Sequence, residues 1–311
     1  MSTLPHSPAD AAARVPEVVA SQGGVVAYLT DLAELTKPGI SLMVLVTTGL
    51  GFLLATHGPL PWLRLAATLL GTGLVSAGAS ALNQVVERDL DARMKRTARR
   101  PLPSGRLEFE TALVFAIVLS VAGVTVLATA VNLLTALLGA VALTGYVFVY
   151  TPLKRLTSLS TVVGAIPGAI PPMMGWCAVR NEIELPAWVL FGILFFWQMP
   201  HFLAIAWLCR EDYAQGGFPM LPVIDPGGSW SGRQSVLYGA ALVPVSMLPS
   251  ILHLAGSLYF VGALMLGIAY LAFSLLFARE RSTHSARRLL LASILYLPAV
   301  AVVLLLDRVL A

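Results

Sequence analysis

Apolar runs of about the same length recur along the chain, each closed by a short polar or Gly/Pro-rich break. They cover roughly 39–56, 62–85, 109–130, 132–150, 158–178, 186–208, 234–253, 256–278 and 286–306. A run of ~20 apolar residues is long enough to cross a bilayer as a helix. The pattern therefore predicts an all-α, polytopic membrane protein with nine transmembrane helices. The fifth run holds Pro167, Pro171 and Pro172. Proline removes a helix hydrogen bond, so this span is expected to be kinked or partly unwound, which is tolerated where the backbone faces protein or a cavity. The second run does not stop at its apolar end. It continues without a break signal into Asn83–Arg106, which predicts one long helix carrying a polar end out of the membrane. Residues 1–35 are small, polar and weakly patterned, with Pro5, Pro8 and Pro16. They are expected to form a disordered tail ahead of a single transmembrane domain over 36–311. They match neither a secretory signal nor a mitochondrial transit peptide.

Composition agrees with the pattern. Of 311 residues, 57% are hydrophobic and 12% charged, half the ~25% charge of a soluble domain. The net charge of +4 is modest, and no nucleic-acid partner is expected. Cys177 and Cys209 are far apart and form no CxxC pair, so each is expected to be a packing residue. The distribution of charge says more than its sum. With nine spans, seventeen of the twenty Lys and Arg residues fall on the side of the N-terminus, and Arg64, Arg180 and Arg308 fall on the other. The positive-inside rule then places the N-terminus in the cytoplasm and the C-terminus outside.

Candidate chemistry concentrates at the polar helix end. Asn83, Glu87 and Asp91 are spaced i, i+4, i+8, and each step of four turns the side chain only ~40° on a helix. One amide and two carboxylates thus share a face. Arg93, Lys95, Arg96, Arg99 and Arg100 follow directly. Solvated charge and a topology signal would account for such a run in many membrane proteins. Acidic groups so close to apolar sequence are costly, however, and usually line a polar cavity. Together the stripe and the cations suit a divalent metal such as Mg²⁺ holding a phosphate-rich ligand. After the fourth run come Lys154 and Arg155, on the same side. They are either two more topology charges or neutralising groups for phosphate oxygens. In the sixth run His201 and Asp212 are eleven residues apart. On a regular helix that is three turns, which would aim both at the cavity of the acid stripe. His201 is open to two readings, a hydrogen-bonded packing residue or an iron ligand or base.

These residues resemble a known family. Asn83-x-x-x-Glu87-x-x-x-Asp91 with Arg96-Thr97-x-x-Arg100-Pro101 is similar to the first aspartate-rich motif of the UbiA superfamily of membrane prenyltransferases. Further stretches resemble its haem-farnesylating branch: Tyr150-Thr-Pro-Leu-Lys-Arg, Pro171-Pro-Met-Met-Gly-Trp176, Trp197-Gln-Met-Pro-His-Phe-Leu-Ala204, Asp212-Tyr213 and Pro219-Met-Leu-Pro222. The resemblance covers about Lys37 to Asp307. It departs from quinone-type relatives, which carry a second acidic pair spaced by four, because Leu208 stands four residues before Asp212.

The resemblance implies a nine-helix bundle around a central cavity in a bacterial inner membrane. It implies transfer of a farnesyl group from farnesyl diphosphate to a vinyl group of haem B, giving haem O. It also implies Mg²⁺ held by Asn83, Glu87, Asp91 and Asp212, with the diphosphate bound by Arg96, Arg100, Lys154 and Arg155 and haem bound through His201. Beyond the substrates and the lipid bilayer, a downstream haem A synthase is the expected partner. Two other functions fit parts of the pattern: prenylation of an aromatic quinone precursor, against which Leu208 and the Pro-His-Phe run argue, and multi-span transport, against which the one-sided clustering of polar motifs argues.

Overall fold

A computed structural model describes residues 24–310. Among them, nine helices are long and apolar enough to cross a membrane. They are α2 (Pro38–Ala55), α3 (Trp62–Asp91), α4 (Phe109–Ala130), α5 (Leu133–Thr144, continued to Leu153), α7 (Ser160–Arg180), α8 (Leu185–Leu208), α11 (Ser229–Ile251), α12 (Ser257–Glu280) and α13 (Thr283–Leu310). Shorter helices fill the links: α1 (Val25–Leu35), α6 (Thr151–Leu153), α9 (Arg210–Gln215) and α10 (Leu221–Ile224).

α3 is unbroken over 30 residues. At 1.5 Å per residue it runs roughly 45 Å, beyond the ~30 Å hydrocarbon core, so its Asn83–Asp91 end stands at the membrane surface. α7 is the axis of the bundle. Of its apolar window 72% is buried, against 56% for α8 and no more than 39% for any other span. α2, α3, α5 and α8 surround it, and α11, α12 and α13 complete the far half. α2 approaches α7 closely because Gly51 and Gly175 have no side chain. A methyl group at Gly51 would collide with the carbonyl oxygen of Pro172, and one at Gly175 with that of Thr48. Small residues at a helix crossing are the usual means of tight packing in lipid.

Three expectations change. α3 ends at Asp91 and does not run on as helix to Arg106. The tail expected over 1–35 is helical from Val25 onward, and residues 1–23 lie outside the described chain. Tertiary anchors explain this short helix. Arg106 pairs with Asp31 and Glu34, and Gln84 Nε2 donates to Leu35 O at 2.9 Å. The proline-rich α7 is helical throughout rather than unwound, with most of its length buried by its neighbours. The α5 span instead carries the irregularity, a π-helical turn over Gly145–Tyr150. Such turns cluster at functional sites.

Candidate active site

The acid stripe is buried. Asn83, Glu87 and Asp91 are 2, 3 and 1% exposed, and all three line one cavity of about 140 Å³ at the end of α3. Each is partnered by a cation from a different segment. Lys37 Nζ donates to Asn83 Oδ1 at 3.0 Å. Lys154 Nζ donates to both oxygens of Glu87, at 2.7 and 3.0 Å. Arg100 Nη1 donates to Asp91 Oδ2 at 2.6 Å. Asn83 Nδ2 in turn donates to Thr151 Oγ1 at 3.2 Å, which orients its carbonyl toward Lys37.

The loop after α3 is folded back to make this possible. Thr97 Oγ1 donates to Asp91 O at 2.8 Å, so the chain turns at once and returns Arg100 to the stripe. Met94 of that loop packs on Phe218 and Met220, which closes the cavity from the side of α9 and α10. The π-helical turn presents Tyr146 to the cavity and Tyr150 to Lys154, whose Nζ lies 5.2 Å from the ring centres of both Tyr150 and Phe218. Burial alone would pull the Lys154 ammonium toward neutrality. The Glu87 carboxylate more than offsets this and holds its pKa above the ordinary lysine value. Lys37 has no such partner. Withdrawal from solvent, with Arg100 and Lys154 nearby, pushes it down to about 7. Its backbone is left-handed (φ 48°, ψ 67°) at the start of α2, a strained conformation for a non-glycine residue and one that recurs at functional sites.

The sequence-derived set is therefore divided. Asn83, Glu87, Asp91, Arg96, Arg100 and Lys154 line the cavity together. Arg96 also contacts Cys209 Sγ at 3.3 Å and the Tyr213 hydroxyl at 3.4 Å, and its guanidinium lies 5.3 Å from the Tyr213 ring centre. Arg155 is not brought in; it is turned to Val86 O, at 3.3 Å. Asp212 is half-buried on α9 and does not line the cavity; its neighbour Tyr213 does. The three-turn relation between His201 and Asp212 fails because α8 ends at Leu208. Cys209 leaves helical geometry (φ −107°, ψ 17°), and α9 starts afresh.

His201 faces α13. Its Nδ1 is 2.7 Å from Ser293 Oγ, and its ring stacks on Trp197 at 5.2 Å. Ser293 Oγ gives its own proton to Leu290 O at 2.5 Å. It must therefore accept from His201, which fixes the proton on Nδ1 and leaves an Nε2 lone pair with no protein partner among the described residues.

Lys37, Met94, Tyr146, Tyr213 and Phe218 are cavity residues that sequence reasoning did not single out for a role. Tyr213 stood within the Asp212-Tyr213 stretch and Lys37 opened the region of resemblance, which was the available signal. Among the described residues, no three His, Cys, Asp or Glu side chains form a metal-binding cluster. The metal-competent set is instead one amide and two carboxylates, all buried on one wall, and this hard oxygen set fits Mg²⁺.

A family model, the UbiA prenyltransferase family, matches residues 44–297. The chain belongs to the UbiA prenyltransferase family. It is a multi-pass membrane protein of that family's all-helical fold. Among curated relatives, a protohaem IX farnesyltransferase from Solibacter usitatus is 48% identical over 289 residues, 90% of this chain and 99% of the relative. One from Koribacter versatilis is 44% identical over 296 residues, 92% and 95% of the two chains. Among solved structures, one reported for digeranylgeranylglyceryl phosphate synthase superposes with a TM-score of 0.77 at 16% identity, covering 91% of this chain and 99% of that one. A UbiA homologue from Archaeoglobus fulgidus, solved bound to GPP and Mg²⁺, gives 0.66 at 17% identity over 88% and 99%. At those identities the UbiA structures share the fold.

Proposed function

We propose that this protein transfers the farnesyl group of farnesyl diphosphate to a vinyl group of haem B, giving haem O and diphosphate. The observation that carries this reading is the buried cavity in which an amide and two carboxylates face Lys37, Arg96, Arg100 and Lys154. Such a cavity suits an anion of high charge held through a cation. A soluble metabolite would not need it sunk in an oily bundle, whereas an allylic diphosphate does. The acceptor is inferred from the protohaem IX farnesyltransferases that align along almost the whole chain.

Asn83, Glu87 and Asp91 would hold Mg²⁺, with Asp212 as a further ligand reached by movement of α9. When bound, Mg²⁺ supplies Lewis-acid stabilisation of the leaving diphosphate. Arg100 and Lys154 now neutralise Asp91 and Glu87. With the ligand present they transfer to phosphate oxygens and stabilise the negative charge that grows as the allylic C–O bond breaks. Arg96 and Lys37 add donors from two other sides, while Arg155 stays outside the cavity on Val86 O. The Tyr146 and Tyr150 rings and Phe218 exclude water from the farnesyl cation while it forms. The haem vinyl carbon attacks the farnesyl C1, diphosphate leaves, and the resulting cation beside the porphyrin takes a water oxygen and releases a proton. That leaves the hydroxyethylfarnesyl chain. The cavity is too small for a porphyrin, so haem approaches from outside it. His201, with its Nε2 lone pair free, is proposed as the iron ligand that positions it. The protein would lie in a bacterial inner membrane with its N-terminus cytoplasmic, and would pass haem O to a haem A synthase.

The test is direct. Purified protein given haem B, farnesyl diphosphate and Mg²⁺ is expected to yield a porphyrin heavier by one farnesyl group and one hydroxyl group. EDTA is expected to stop product formation and added Mg²⁺ to restore it. Turnover indifferent to chelation, or transfer to 4-hydroxybenzoate but not to haem B, would refute the proposal.

A further inference from the structure

An apolar channel lies beneath the charged cavity. α2, α3, α5 and α7 border it, and Tyr146 lines both spaces. Val44, Ser76, Ala79, Ala142 and Pro171 form its walls. It ends on a packed cluster that includes Val75, Leu127 and Met174, which are 4, 0 and 1% exposed. Val75 and Met174 face the channel, and Leu127 of α4 backs them.

The depth of this floor can be read along α3. Val75 is eight residues and Thr72 eleven residues below Asn83 on one continuous helix, which at 1.5 Å per residue is roughly 12 and 16 Å. An extended prenyl chain built from ~1.5 Å carbon–carbon bonds advances about 1.25 Å per bond. A geranyl chain then reaches roughly 10 Å, a farnesyl chain roughly 15 Å and a geranylgeranyl chain roughly 20 Å. With its diphosphate among Asn83, Glu87 and Lys154, a farnesyl chain ends at the floor. A geranyl chain stops near Ser76 and leaves apolar space empty. A geranylgeranyl chain would have to displace the cluster.

We infer that the Val75–Leu127–Met174 cluster is the stop that sets prenyl chain length at farnesyl. The inference rests on the transferase reading above and adds the residues that select its donor. The cluster at its end is close-packed, so a longer chain cannot be accommodated by small adjustments: protein interiors deform poorly, and overpacking by even a few methylene groups is costly. A shorter chain is disfavoured because each methylene left unburied forfeits hydrophobic stabilisation.

The experiment is a competition. Wild type, Met174→Ala and Ser76→Phe are each given haem B, Mg²⁺ and equal amounts of geranyl, farnesyl and geranylgeranyl diphosphates, and the prenylated porphyrins are separated by mass. Wild type is expected to favour the farnesyl product. Met174→Ala, which lowers the floor, should raise the geranylgeranyl-to-farnesyl product ratio at least tenfold. Ser76→Phe, which fills the channel about 10 Å below Asn83, should raise the geranyl-to-farnesyl ratio at least tenfold. A merely structural role for these residues would lower all three products together and leave the ratios unchanged. Unchanged ratios in folded variants, or a wild type that uses all three donors equally, would overturn the inference. If Met174→Ala does not fold, Ser76→Phe decides alone. A wild type that prenylates haem with none of the three overturns the transferase reading beneath it as well.

Discussion

At the scale of single residues, the site depends on charges that cancel in pairs. Lys154 and Glu87 are 11 and 4% exposed and joined by two hydrogen bonds. Removing one partner of a buried pair strands the other, at a cost of about 3–5 kcal/mol. Lys154→Met should therefore lower the melting temperature in detergent markedly. Glu87→Gln combined with Lys154→Met should recover much of that loss, while haem O formation stays abolished in both. Equal melting temperatures for wild type and Lys154→Met would mean that the pair is not dry. His201 is the second test at this scale. The proton on Nδ1 is held by Ser293, so His201→Ala should weaken haem binding and shift the haem absorption spectrum. An unchanged spectrum and affinity would reduce His201 to a packing residue against Trp197. The stripe Asn83–Glu87–Asp91 was legible because helical periodicity converts a spacing of four directly into a shared face. Asp212 was not, because its relation to His201 depended on a helix continuing through Cys209, where it stops. Lys37, Tyr146 and Phe218 are brought in from distant parts of the chain by tertiary packing, which no local spacing records.

At the scale of elements, α2 packs closely against α7, the axis of the bundle. Gly51→Ala or Gly175→Ala would press a methyl group into a backbone carbonyl of the partner helix, which cannot move aside as a side chain could. Overpacking of this kind costs about 1–3 kcal/mol or more, so each variant should melt earlier in detergent than wild type and lose activity with it. Ala at Gly39, where a side chain meets nothing, serves as the control and should melt as wild type does. The nine spans were readable to within a few residues because hydrophobicity over a bilayer's thickness dominates every local preference. The elements that escaped are the ones this signal does not govern. α1 is fixed by ion pairs to Arg106. The π-helical turn at Gly145–Tyr150 depends on how Tyr146 and Tyr150 pack, and α9 is a six-residue helix set by the break at Cys209.

At the scale of the whole molecule, the charge distribution gives a direction across the membrane. The end carrying the acid stripe also carries most of the Lys and Arg residues. The opposite end is fastened by few polar groups: Asp307 accepts from the backbone amides of Gly256 and Tyr259, and Arg308 donates to Leu53 O and Thr56 O. The positive-inside rule predicts that end to be external. A reporter active only outside the cytoplasm should therefore work when fused after Ala311, and a cytoplasmic reporter there should fail; the reverse result would invert the topology. The floor formed by Val75, Leu127 and Met174 then has an effect unrelated to chain length. A charged hollow open to one face of an energised membrane is a hazard, since ions or protons that penetrated it would short-circuit the gradient. Sealed by those three side chains, as inferred above, the hollow would admit a highly charged donor turnover after turnover without becoming a leak.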